Sequence, residues 1–209
     1  MIIDLHFHTS QYSTCSRIDM EEGIKYAKDM GLHGICITDH ESNEAVEFAK
    51  ELERKYGLLI IVGTEILTYE GDIICFGINK VPVEKMHAQQ LINFVNEEGG
   101  VTISAHPFRN NGRGLGNHIN NLKGLTAIES FNGNTSYENN LKASMLASKL
   151  NIACIGASDA HKLENIGIYA TEFLDHIKNE KDLISAMKCR RMVPVYHDSK
   201  TNEFKPNDL

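Results

Sequence analysis

Six short apolar runs in this chain each stop at a residue able to bind a metal or move a proton, and that recurrence narrows the folds open to it. Met1-Ile2-Ile3 leads to His6 and His8, Ile35-Cys36-Ile37 to Thr38-Asp39-His40, and 58–62 to Gly63-Thr64-Glu65. Further on, 101–105 leads to His106-Pro107, Thr126-Ala127-Ile128 to Glu129, and 152–155 to Ser158-Asp159-Ala160-His161. Short runs rich in Ile and Val read as strands buried on both faces. If such strands are parallel in a barrel, their C-terminal ends share one mouth, where catalytic groups gather.

Helix signals fall between the runs. Asp19 can cap a helix with Glu22 at its third position, Ile24, Ala27 and Met30 on one stripe, and Gly31 at its end. A second helix is expected from Asn43 to Tyr56, a third from Val83 to Glu98, a fourth from Tyr137 to Leu150 and a fifth from Glu180 to Arg190. Helices alternating with strands imply an α/β fold with parallel strands joined by right-handed crossovers, about seven or eight of them in a small closed or nearly closed barrel. No repeat or linker interrupts the pattern. One domain is therefore expected over 1–197, with a loosely held tail over 198–209.

A chain of 209 residues can bury the core of a single α/β domain. Its net charge of −7 and pI near 5.8 argue against a broad basic groove, and so against long duplex nucleic acid as a partner. No apolar stretch approaches the roughly 20 residues that span a bilayer. Asp4 and His6 interrupt the start of the chain where a signal peptide would be apolar, so cytoplasmic residence is the expectation. The five cysteines form no C-x-x-C pair, and Cys36, Cys75 and Cys154 fall in expected strands as reduced, buried thiols.

The spacing of His6 and His8 carries chemical information. Residues i and i+2 of a strand point to one face, so both imidazoles converge, a pairing suited to zinc, iron or manganese. Two divalent ions about 3.5–4 Å apart can share an activated water and clamp both oxygens of a phosphoryl transfer. Such a pair needs a bridging carboxylate, and Glu65 is the best placed.

Taken in order, His6-x-His8, Thr38-Asp39-His40, Gly63-Thr64-Glu65, Ala105-His106-Pro107, Ile128-Glu129 with Asn132, and Ser158-Asp159-Ala160-His161 resemble the PHP (polymerase and histidinol phosphatase) domain over about residues 1 to 175. The resemblance implies a distorted (β/α)7 barrel, similar to a TIM barrel, with two or three divalent ions (Zn, Mn or Fe) at its mouth. It places His6, His8, Glu65 and Asp159 around one metal, Glu65 and His106 on a second, and His40 and His161 on a third. Many relatives carry a His where this chain has Asp72, which is expected to replace that imidazole on the second metal. Relatives often carry an Asp or His in the loop after His8. Here 9–16 offers no strong ligand except Cys15 as a thiolate, which predicts a third ion bound weakly or not at all.

The resemblance implies a metal-dependent phosphoesterase that hydrolyses a small phosphomonoester or phosphodiester by a metal-bound hydroxide, with Glu65, Asp159 and His161 in catalytic roles. Arg109 and Arg113 follow His106 in a glycine-rich segment and are expected to fork onto phosphate oxygens, with His118 as a further substrate contact. The expected partner is a small phosphorylated molecule, nucleotides included. Glu129, Asn132, Asp39 and Asp4 are expected to orient ligands, and His33, His87, His176 and His197 to be solvated or structural. Three rival functions share these residues: a C–N amidohydrolase, an exonuclease on short oligonucleotides, and a non-catalytic accessory module. Oligomeric state is not written in the pattern.

Overall fold

A computed structural model describes residues 1–207. Six strands form one sheet: β1 (Ile2–Phe7), β2 (Gly34–Ile37), β3 (Leu59–Val62), β9 (Tyr169–Phe173), β10 (Met192–Asp198) and β11 (Glu203–Pro206), in the order β11-β10-β9-β1-β2-β3. Five form a second: β4 (Thr64–Leu67), β5 (Asp72–Phe76), β6 (Val101–Ser104), β7 (Ala127–Asn132) and β8 (Ala153–Ala157), in chain order. Pairing is parallel in β1-β2-β3 and β6-β7-β8, and antiparallel in β4-β5-β6 and β9-β10-β11.

The expected (β/α)7 barrel is therefore corrected: the fold is α/β with two mixed sheets, and neither closes. β9 runs antiparallel along β1, pairing Ile2 with Glu172 and Ile3 with Thr171, and so occupies the start of the edge that β8 would need. β8 reaches β1 only beyond its end, at the single bridge Phe7↔Ala160. On the other side the chain leaves β3, passes Gly63 and enters β4 in the second sheet, with His40↔Glu65 as the single bridge across. A Cβ at Gly63 would lie 2.6 Å from the Phe76 ring and 2.7 Å from the Cys75 carbonyl, so the crossing is tight enough to demand glycine. Both bridges involve or adjoin the predicted ligands.

The inner faces of the two sheets pack on each other through Ile3, Leu5, Ile61, Ile74, Phe76, Ile103 and Ile155. Helices α1 (Met20–Asp29) and α2 (Val46–Tyr56) cover the first sheet, burying Ile24, Ala27, Ala49 and Leu52. α3 (Ala88–Glu97) and α4 (Tyr137–Leu150) cover the second with Leu91, Ile92, Val95 and Ala147. α5 (Glu180–Lys188) adds Leu183, Ala186 and Met187 to the core between the sheets.

Helix boundaries follow their caps. Asp19 accepts from the Glu21 and Glu22 amides, as its position suggested. Asn43 does not cap α2, because its amide instead donates to the Ile78 and Asn79 carbonyls, and the helix starts at Val46. α3 starts five residues later than expected, where the Glu70 carboxylate accepts from Ala88 N–H and Gln90 from His87 N–H. Within the segment expected as a tail, β11 pairs antiparallel with β10, while residues 208–209 lie outside the described residues.

Candidate metal centre

Strand ends set the geometry. β1 delivers His6 and, just beyond it, His8 to one side, where their Nε2 atoms stand 3.0 Å apart. Asp159 Oδ1 lies 3.3 Å from each of these nitrogens, and Glu65 Oε2 lies 3.5 Å from the first and 3.3 Å from the second. Ligand atoms on a tetrahedral zinc with bonds near 2.0–2.1 Å stand about 3.3 Å apart. Each carboxylate oxygen thus stands at the spacing of a coordination shell from both imidazole nitrogens. All four residues are almost wholly buried, and Asp159 Oδ1 has no hydrogen-bond partner among the described residues, a costly arrangement for a carboxylate oxygen unless a cation meets it.

Tautomers fit the same purpose. His6 Nδ1 donates to Glu129 Oε1 at 3.0 Å, which leaves the Nε2 lone pair facing inward in the neutral ring. The other Glu129 oxygen accepts from the His106 amide at 2.6 Å, so one buried carboxylate locks two strand ends. Glu65 faces two ways: Oε2 approaches His6, His8 and, at 3.1 Å, His40 Nδ1, while Oε1 lies 2.9 Å from His106 Nε2. Its oxygens thereby border two ligand groups, His6-His8-Glu65 and Glu65-Asp72-His106, each with its donor atoms within 4.8 Å.

In the chain alone these charges answer one another. Burial works against ionising His6, but Glu129 and Glu65 outweigh it and raise the ring to about 10. Burial likewise opposes charge on Glu65, yet His6, His106 and His40 hold it well below the usual carboxylate range. Asp4, pushed up to about 6 by burial, accepts from the Ser158, Gly167 and His6 amides and ties β1 to the turn carrying Asp159. His106 and Asp159 both adopt left-handed backbone, with φ of 28° and 51°. Strain of this kind costs about 1–3 kcal/mol per residue and collects where side chains must be aimed.

A family model described as PHP-associated matches residues 137–192. An uncharacterized protein of Methanocaldococcus jannaschii is 32% identical over 142 residues, covering 63% of this chain and 82% of that protein. The chain belongs to the PHP family. Its fold is also similar to that of solved structures. One is to a protein of Bifidobacterium adolescentis assigned as a metal-dependent phosphoesterase, 16% identical with a TM-score of 0.67 over 90% of this chain and 96% of that one. PsfC of Pseudomonas syringae is 17% identical with a TM-score of 0.72, covering 96% and 93%. An amidohydrolase of Chromobacterium violaceum, with bound sulfate and no metal, is 16% identical with a TM-score of 0.67, covering 95% and 99%.

The structure brings His6, His8, His40, Glu65, Asp72, His106, Asp159 and His161 of this PHP protein together. Arg109 and Arg113 also reach the site, but not as open forks. Arg109 pairs with Asp159 and donates to Asn132 Oδ1 at 2.7 Å, and Arg113 grips both oxygens of Asp72 at 2.7 and 2.9 Å. Asp72 is thus shared between the second ligand group and a guanidinium. His118 sits exposed on a 3-10 turn at Gly116–Asn121 and belongs to none of the ligand clusters found among the described residues.

Polar residues in two loops escaped sequence reasoning. Ser13 accepts from the His40 amide at 3.0 Å and lies 3.4 Å from His8 Nδ1. Asn134 donates to the Asp159 carbonyl and lies 3.5 Å from His161 Nδ1. Neither has a spacing signal, since loop conformation alone brings them in. Asp39 holds the loop after His8 by accepting from Thr9 N and Thr9 Oγ1, both at 2.7 Å. His33 accepts from the Ile2 amide and His87 contacts Glu70, both away from the cage. In the loop itself, burial raises the Cys15 thiol, but hydrogen bonds with His161 and His40 prevail and bring it down to about 5.

Proposed function

We propose that this PHP protein is a metal-dependent phosphoesterase acting on a small phosphomonoester or phosphodiester. The observation that carries the reading is that the Glu65 and Asp159 oxygens each stand at ligand spacing from the paired His6 and His8 nitrogens, with the second oxygen of Glu65 turned to His106. His6, His8, Glu65 and Asp159 would hold one divalent ion, zinc, manganese or iron, and Glu65, His106 and Asp72 would hold a second. Bound there, such ions lower the pKa of water toward 7 and neutralise charge on the phosphoryl oxygens.

The protein's own groups do the rest. Glu129 keeps the His6 proton on Nδ1, so that Nε2 stays a lone-pair donor. Asp72 and Asp159 serve either a cation or a guanidinium. With cations meeting those carboxylates, Arg113 and Arg109 would be available to phosphate oxygens, which suit the planar arginine fork. Of the roles open to His161, ligation is favoured over acid catalysis. Its Nδ1 donates to the Asp159 carbonyl at 2.9 Å, and burial keeps its pKa below the ordinary imidazole value, so it is neutral at pH 7. The two arginines inside an acidic cage favour phosphate esters over amides, and the net charge of −7 favours small phosphorylated molecules over long duplexes.

Turnover of p-nitrophenyl phosphate and bis(p-nitrophenyl) phosphate, beside an amide and lactone panel, tests this with Zn, Mn and Fe loaded in turn. Phosphoester turnover should require metal. Glu65→Gln should lower it by more than the roughly 10–100-fold typical of groups that only orient a ligand, with the far-ultraviolet circular dichroism unchanged. Full activity of Glu65→Gln in excess metal would remove its bridging role, and turnover confined to amides would replace the phosphoesterase reading.

A further inference from the structure

At the outer edge of the cage the loop after β1 folds back on itself and brings Cys15 against two imidazoles. Ser16 Oγ donates to the His8 carbonyl at 2.8 Å and Ser13 Oγ accepts from His40 N–H, so the loop is pinned at both ends of the turn that presents the thiol. One donor atom from each of Cys15, His40, His161 and His8 falls within 4.8 Å of all the others. Ligands on a tetrahedral zinc stand about 3.3–3.6 Å apart, given metal–nitrogen bonds near 2.0 Å and metal–sulfur bonds near 2.3 Å. Small side-chain rotations close that gap. His8 Nε2 is engaged with Glu65 and Asp159, at 3.3 Å from each, which leaves Cys15, His40 and His161 as the outer set.

The resemblance already puts a third ion on His40 and His161; we propose that Cys15 completes that site as a thiolate ligand, making an outer site for a borderline cation such as Zn²⁺, Co²⁺ or Fe²⁺ at the exposed rim of the cage. This rests on the metal-centre reading above and deepens it, because two imidazoles without a third ligand would hold an ion poorly. A sulfur donor changes which ion is chosen. Thiolate with imidazole favours zinc, cobalt or ferrous iron, whereas Mg²⁺ and Mn²⁺ prefer oxygen. Three protein ligands leave a fourth position open, the pattern of reactive rather than structural zinc sites. His40 and His161 are each 24% exposed and Cys15 is exposed, so this ion exchanges with solvent more readily than one among the buried ligands.

Differential alkylation of the full chain tests the site without reference to activity. Cys189 is also exposed and lies outside the cluster, so it serves as the internal standard. With Zn²⁺ at saturation, iodoacetamide labelling of Cys15, read by peptide mass spectrometry, should slow at least about tenfold relative to Cys189, and Mg²⁺ should give no protection. Co²⁺ loading should add a near-ultraviolet thiolate-to-cobalt charge-transfer band, absent in Cys15→Ser, whose bound metal should fall by one equivalent. Unprotected Cys15 in protein that binds zinc, or cobalt protein without the band, would overturn the outer site and leave the inner cage standing. Wild-type protein that binds no zinc at all would overturn both.

Discussion

Glu129→Gln separates a group that aims ligands from one that merely holds the fold. The carboxylate is 0% exposed and accepts two hydrogen bonds, from His6 Nδ1–H at 3.0 Å and from His106 N–H at 2.6 Å. Glutamine has nearly the same shape, yet only one of its terminal atoms accepts. One of the two donors is then left facing an NH₂ group, at about 1–3 kcal/mol, and the surviving bond drops from charge-assisted to neutral, at about 1 kcal/mol. Unfolding free energy in chelator should therefore fall by about 2–4 kcal/mol, read from urea denaturation. Zinc affinity, measured by competition with a chromophoric chelator, should fall about 10–100-fold, since His6 loses the partner that fixes its tautomer. Lowered stability with unchanged zinc affinity would refute the positioning argument, because Glu129 would then be structural alone.

Proton release offers a second check. His6 is raised to about 10 by Glu129 and Glu65 against the effect of burial, and His40 to about 10 by Cys15 and Glu65, so both rings are charged at pH 7 and must lose a proton to ligate. Zinc affinity should rise with pH between 6 and 8, and calorimetry in buffers of different ionisation enthalpy should show protons released; flat affinity would contradict the ligand assignment. Gly71→Ala tests how the arginine loop is seated. At φ +153° an added Cβ would stand 2.6 Å from the Leu115 amide nitrogen and 2.7 Å from the Gly114 carbonyl carbon, so stability should drop by about 2–4 kcal/mol in urea, and an unchanged midpoint would refute the close approach. Finally, zinc at 100 times its Kd should stabilise the fold by about 2.7 kcal/mol, a rise of roughly 5–10 °C in Tm that EDTA reverses, whereas coincident melting curves would mean that no ion binds the native state.

The clustering of these imidazoles and carboxylates was legible because strand ends are written locally. An apolar run, a polar stop and a two-residue period place His6 and His8 together on one face, and the same rule places His106 and the residues after β8. Helices were legible for the same reason, down to the Asp19 cap and the span of α4. Strand direction was not. Antiparallel β4-β5-β6 and β9-β10-β11 carry the same buried Ile and Val runs as parallel strands, since direction depends on which edge a partner finds free. That is why a closed barrel was expected and two sheets are found.

Residue types and their spacing, read one segment at a time, were enough to supply the cage's imidazoles and carboxylates, because each depends on a strand of only a few residues. Tertiary structure alone decided what those groups face. Arg113 closes on Asp72, Glu129 spans His6 and His106, and Cys15 meets His40 and His161 across separations that no local period encodes. Such pairings are fixed by how two sheets meet and how loops are pinned, and those are properties of the whole packed chain.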